Sequence, residues 1–398
     1  MTKGSGGGSG DGGGSGSGGG SGSGGGSGDG GGSGDGGGSG DGGGSGDGGG
    51  SGDGGGSGDG GGSGDGGCSG DGSGSGDDGS SGDGGGSGDA GSSGDSGGGD
   101  DSGCSGAVPD FRCLLQPSDP PCHVCSQSLS LLPHLNPNYR CNTSLLIDYC
   151  SKEKDGRHYY ILIDVGKSFR EQVLRWFTFY KIPRVDSIIL THEHADAVHG
   201  LDEIRSLQPR GSTDPLPVFL SQFTMKSISM KFPYLVEKKV KEVPRRVSLL
   251  DWKIIEENCD KPFTASGLSF TPLPVMHGED YIALGFLFGD KSKVAYISDV
   301  SRIPPSTEYA ISKSGAGQLD LLILDTNIPR KRGLHPTHIC FPEALEIIKR
   351  LCPKRALLTG MTHDFDHHEY NEILVEWSLR EGIHVQLAHD GLRLPIDL

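Results

Sequence analysis

The chain has 398 residues and a formal charge of −17, but 60 of its 74 glycines and −15 of that charge fall in residues 1–106, leaving −2 on the remaining 292. Gly, Ser and Asp bury too little apolar surface to offset ordering at about 1–2 kcal/mol per residue, so residues 1–102 are expected to be a disordered tail and 103–398 a folded domain. No run of about 18 apolar residues and no basic-then-apolar leader occurs, so neither a membrane span nor classical secretion is expected; the expected location is the cytoplasm, with an organelle as alternative.

Within the tail, Ser-Gly-Asp-Gly-Gly-Gly repeats from about Ser33 to Gly67, too short a period for a solenoid. Its accidental G-x-G-x-x-G matches have no strand before them and no helix after, so a dinucleotide site is excluded. Past Val108-Pro109 comes a loop bearing Cys113, Cys122 and Cys125, then β-rich runs at 141–148 and 159–164 that predict paired strands. Apolar spacing predicts a helix over 169–180, and Val185-Asp-Ser-Ile-Ile-Leu190 reads as a buried strand running into Thr191-His192. Further strands are predicted at 218–220, 294–298, 321–324, 356–359 and 384–387, with helices from Asp202, over 342–351 and over 369–380. Strands alternating with helices, some joined by hairpins, predict an α/β fold with a sheet-on-sheet core flanked by helices.

The chemistry is concentrated after the strand at 185–190. Thr191-His192-Glu193-His194-Ala195-Asp196-Ala197 gathers two imidazoles and a carboxylate on one tight loop, and donors one residue apart reach a common ion only from a turn. His277, Asp299 and His363 each follow an apolar run as well, and the convergence of four loops points to a metal centre for zinc or manganese. Cys122 and Cys125 have the C-x2-C spacing that places two thiolates on one zinc, with Cys113 a third. After the run at 321–324, Arg330, Lys331 and Arg332 offer guanidinium and ammonium groups suited to phosphate oxygens. Nearby, His335 and His338 offer a proton donor for a leaving group.

Asp164, His192, His194, Asp196, His277, Asp299 and His363 follow in the order of the signature of metallo-β-lactamase-fold hydrolases, which the sequence resembles across residues 103–398. Within that family, Gly103–Pro109, the cysteine loop and Arg140–Ile147 look like the branch containing RNase Z and the cyclic-phosphate phosphodiesterase of phosphonate catabolism. The resemblance implies an αββα sandwich with metals at one edge. It implies one ion on His192, His194 and His277, a second on Asp196 and His363, Asp299 between them, and Asp164 orienting the loop. By the same resemblance His338 protonates the leaving group, with His335 as alternative, and Asp196 acts with them; His367 completes a structural zinc site with the three cysteines. The family's last motif histidine is Ala197 here, whose methyl ligates nothing; the alternatives are a single-metal or weakly occupied second site and a second site completed by His199 or Asp202 from the following turn. The branch's opening strand, ending Leu-Gly-Thr-Gly, is replaced by Gly98–Ser102, which predicts a short or missing sheet edge at a cost of a few kcal/mol.

These readings converge on a metal-dependent phosphodiesterase using one or two zinc or manganese ions on a small phosphate ester or cyclic phosphate. The alternatives are a tRNA 3′-processing endonuclease, a thioester hydrolase, and a degenerate metal-binding interaction module. Nucleic acid is disfavoured as a partner because a domain of charge near −2 has no basic arm, and a homodimer is the expected assembly.

Overall fold

A computed structural model describes residues 107–151, 156–209, 214–236, 248–330 and 337–398. The glycine-rich tail, together with Lys331, Arg332 and His335, lies outside the described residues. No helix among the described residues is long and apolar enough to cross a membrane.

The domain is built on two sheets. One joins β1 (Leu145–Cys150), β2 (His158–Ile163), β3 (Ser187–Ile189), β4 (Leu216–Ser221) and β5 (Leu250–Ile255) in sequence order. The other contains β6 (Phe263–Ala265), β7 (Leu268–Met276), β8 (Ile282–Phe288), β9 (Val294–Ile297), β10 (Leu321–Asp325), β11 (Arg355–Thr359) and β12 (His384–Leu387), also in sequence order. Strands β2 to β5 run parallel, as do β9 to β12, while β6 to β9 form an antiparallel meander.

The layering follows from the two-residue period of a strand, which sends successive side chains to opposite faces. In β2, Ile161 and Ile163 meet Phe286, Tyr296 and Ile323 between the sheets, while Leu162 points outward to Phe169, Phe177 and Leu201. In β10, Ile323 faces inward and Leu322 and Leu324 face outward onto the helix Phe341–Leu351, whose Ala344, Leu345 and Ile348 lie on its buried stripe. Three apolar layers, each buried side chain contributing about 1.5–3 kcal/mol, therefore give an αββα sandwich.

Some expectations shift. The helix over 169–180 forms, but as α-helix at Phe169–Gln172, a π turn at Val173–Phe177 and α-helix at Thr178–Tyr180, closed by Lys181 in the left-handed region. The element starting near Asp202 is a 3-10 helix, Leu201–Ser206. Strands β5 to β8 and the helix Gln222–Lys231 were not legible. Pro272 and Pro274 interrupt the β-pattern of β7, yet both are tolerated because β6 pairs with β7 only over Leu268–Phe270, leaving one flank of the proline stretch without a ladder. In the other sheet β1 and β5 are the edge strands, and Val108 forms an isolated bridge to Arg140; residues 98–102, where a short or missing sheet edge was expected, lie outside the described residues.

Candidate metal centre

Four strand ends and one hairpin supply the polar residues at a single edge of the sandwich. Asp164 follows β2, Thr191 and His192 follow β3, Asp299 follows β9, Asp325 closes β10, and His277 enters the β7–β8 turn. Asp164 takes the left-handed conformation (φ 65°) and accepts hydrogen bonds from Thr191 N at 2.9 Å and Thr191 Oγ1 at 2.8 Å. That hydroxyl lies 2.8 Å from His192 Nδ1; because its proton goes to Asp164, it accepts from Nδ1 and directs Nε2 inward. His277 is oriented in the same way, its Nδ1 donating to the carbonyl of Thr337 at 2.7 Å.

One donor atom each from His192, His194 and His277 converges within 4.8 Å, as does one each from His192, Asp196 and Asp299. His277 Nε2 and His194 Nδ1 stand 3.2 Å apart, and His192 Nε2 is 3.2 Å from Asp299 Oδ2. Burial, reinforced by the neighbouring His192, pushes His194 down to about 4 and His277 to about 3, so both imidazoles are neutral at pH 7. Asp196 Oδ1 is closed to solvent without a hydrogen-bond partner, and His192 Nε2, equally closed, faces the Asp299 carboxylate. Inward neutral nitrogens beside buried carboxylates and an orphaned carboxylate oxygen match the demands of a divalent cation, so the residues fit the metal that this fold implies.

A third group joins Asp299, Asp325 and His338. His338 Nδ1 is 2.8 Å from Asp325 Oδ2, and its ring centroid lies 4.9 Å from that of His277. Despite the cost of burial, Asp325, Asp299 and Asp196 lift His338 to about 9. Asp325 was missed in the sequence, although it has the signal that identified Asp164, an acid ending an apolar strand.

Several expected residues stand elsewhere. His363 is not at this centre: its Nδ1 lies 3.5 Å from both Cys113 Sγ and Cys122 Sγ, and these three with Cys125 form the Cys3His group assigned to His367. The cause is Arg140, whose guanidinium donates to the carbonyls of Thr362 (3.2 Å) and Phe365 (2.9 Å) and turns the intervening loop toward the cysteines. His367 begins the next helix and lines a separate cavity of about 790 Å3 with Trp176, Tyr180, His368 and His389. Neither substitute for Ala197 reaches the centre. His199 packs edge-on against Phe232 at 5.6 Å, and Asp202 faces Tyr234 in the exposed 3-10 turn. Arg330 is exposed beyond β10.

Comparison with known proteins agrees with this geometry. Residues 159–361 match the family described as the beta-lactamase superfamily domain. An octanoyltransferase of Porphyromonas gingivalis is 31% identical over 259 residues, 65% of this chain and 45% of that protein, so the chain spans less than half of the relative's length. A crystal structure of a diphosphatase from the PhnP family superposes with a TM-score of 0.56 at 30% identity, covering 74% of this chain and 96% of that one. Zn(2+)-bound PqqB from Methylobacterium extorquens shares the fold, with a TM-score of 0.52 at 17% identity over 74% of this chain and 98% of its own. With just over half its length inside the family match and its donors gathered at one edge of the two sheets, the chain belongs to the β-lactamase superfamily and has the metallo-β-lactamase fold.

Proposed function

We propose that the chain is a metal-dependent phosphodiesterase acting on a small phosphate ester. The observation that carries the reading is the His338–Asp325 pair, buried against the imidazole trio and held on the acidic side of the centre. When bound, a divalent ion, zinc or manganese by the donor set, supplies Lewis-acid charge and acidifies water. The three histidines and Asp299 would hold it, with Asp196 beside them. Asp164 fixes the loop through Thr191 so that His192 keeps its proton on Nδ1. His338, kept protonated by Asp325, is placed to give its proton to the departing alkoxide, the step that otherwise limits ester cleavage at neutral pH.

The diphosphatase, matched over nearly its whole length, supports hydrolysis at phosphorus. The octanoyltransferase supports acyl transfer less, because more than half of that protein lies outside the match. The Cys3His group is proposed to hold a structural zinc. The test uses the full chain, stripped with chelator and reloaded with Zn2+ or Mn2+, against bis-p-nitrophenyl phosphate and an octanoyl thioester. Metal-dependent release of p-nitrophenol is expected; cleavage of the thioester alone would overturn the reading.

A further inference from the structure

We propose that Phe223 is a stacking platform that selects phosphate esters carrying a planar ring; the assignment rests on the phosphodiesterase reading above. Three observations place it at the mouth of the metal centre. First, β3 and β4 run parallel with Ile188 opposite Val218 and Ile189 opposite Phe219, and Leu190 N donates to Phe219 O at 2.8 Å. That register brings the end of β4 at Ser221 to the same sheet edge as the loop that begins at Thr191. Ser221, ending β4, caps the helix Gln222–Lys231 by accepting from Thr224 N at 3.2 Å, which fixes Phe223 in the first turn.

Second, Phe223 is the outer member of an aromatic stair leading to a metal-centre imidazole. The Tyr281 ring lies flat on His194 (centroids 4.9 Å, planes 18° apart), and Phe223 meets Tyr281 edge-on (5.8 Å, 85°). Tyr281 comes from the other sheet, in a turn closed by His277 N donating to Tyr281 O at 2.8 Å and passing through Gly278 at φ 123°. The stair therefore spans both halves of the sandwich, and its last ring remains 56% exposed. Single exposed apolar residues are ordinary on protein surfaces; this one differs in touching a side chain that itself covers a metal-centre histidine. An edge-on contact occupies only part of a phenyl ring and leaves a face for a second planar group.

Third, the helix that carries the platform is tied to the metal-binding loop: Lys231 Nζ donates to Glu193 O at 2.7 Å and pairs with the Glu193 carboxylate at 3.5 Å, while Lys226 leaves the helix Gln222–Lys231, which has no carboxylate of its own, with a further positive charge. Phosphate at the centre and a planar ring on Phe223 would then be bridged by the Tyr281 ring, as the two ends of a nucleoside phosphate are separated by its sugar.

The experiment compares two five-membered cyclic phosphates of the same reactive group, adenosine 2′,3′-cyclic phosphate with a ring and glycerol 1,2-cyclic phosphate without one. In the metal-loaded full chain the ratio of their kcat/KM values is measured for wild type, Phe223→Ala and Phe223→Trp. The ratio is expected to fall about 5- to 100-fold in Phe223→Ala, the range that base–aromatic stacking supplies, mainly through KM, and to recover in Phe223→Trp. An unchanged ratio, with both substrates equally affected or neither, overturns the assignment while leaving the phosphodiesterase reading intact. Failure of wild type on both cyclic phosphates and on bis-p-nitrophenyl phosphate overturns that reading and this assignment with it.

Discussion

A buried histidine paired with an aspartate can hold a metal, carry a proton or simply fill a core, and His338 can be assigned among these by its neighbours. Its Nδ1 is committed to Asp325, and burial alone would leave it neutral, yet three acids lift it to about 9. Charge alone does not separate the roles, since, despite burial, Asp299 holds His192 at about 9 too; His338 differs in lying outside the converging imidazole trio, its ring against His277 and its Nδ1 committed to Asp325, which suits it to carry a proton. His338→Asn is therefore expected to lower kcat by about 10²- to 10⁴-fold with little change in KM, while the metal content per chain, measured by plasma mass spectrometry, stays at the wild-type value. Loss of an ion from the variant would instead make His338 a ligand. Ala197 bears on the same question: its methyl is buried and neither His199 nor Asp202 turns inward, so the acidic side of the centre rests on Asp196, Asp299 and the His338–Asp325 pair.

Between the elements, the segment 107–130 depends on its cysteines. Its own apolar cluster is small, with Val108, Val124 and Cys125 buried, while Phe111, Leu115 and Leu129 remain exposed. An ion on Cys113, Cys122, Cys125 and His363 would tie it to the loop after β11 and supply what packing does not. His363→Ala is expected to remove one ion per chain and to speed proteolysis within 107–130, whereas His367→Ala keeps the ion count; counting metals in both variants decides between the two histidines. The same pair shows where sequence reading stops. His192, His194, Asp196, His277 and Asp299 were legible because each ends or follows an apolar strand, so that local pattern alone sends them to one edge. His363 was placed wrongly because its direction is set by Arg140, more than 200 residues earlier, holding two carbonyls of its loop. Asp325 carried the right signal but reads alone as an ordinary strand-ending acid. Of the fold, the parallel strands with continuous apolar runs were legible, and the proline-bearing β7 and its neighbours were not, because their pairing depends on which flank stays open.

At the scale of the whole molecule, the two outer helical layers must be held against a sandwich whose one edge is crowded with ionisable groups, and this makes stability depend on pH. His367 is the clearest contributor outside the metal sites. It opens the helix His367–Glu381, is 9% exposed, and its backbone N–H donates to Asn138 Oδ1 at 2.7 Å. Burial, with His389, Arg140 and His368 close by, lowers it to about 4. An unfolded histidine titrates near 6.5, so between about pH 6.5 and 4 the unfolded chain binds more protons than the folded one, and stability falls as pH is lowered through that window. Acid also strips metals by protonating their ligands, so the measurement is a difference. Urea unfolding of wild type and His367→Asn at pH 7.5 and pH 5 should show the variant losing about 1–2 kcal/mol less stability across the interval, metal loss being common to both. Equal losses would mean that His367 is protonated in the folded chain and that the cavity it lines admits water to its ring.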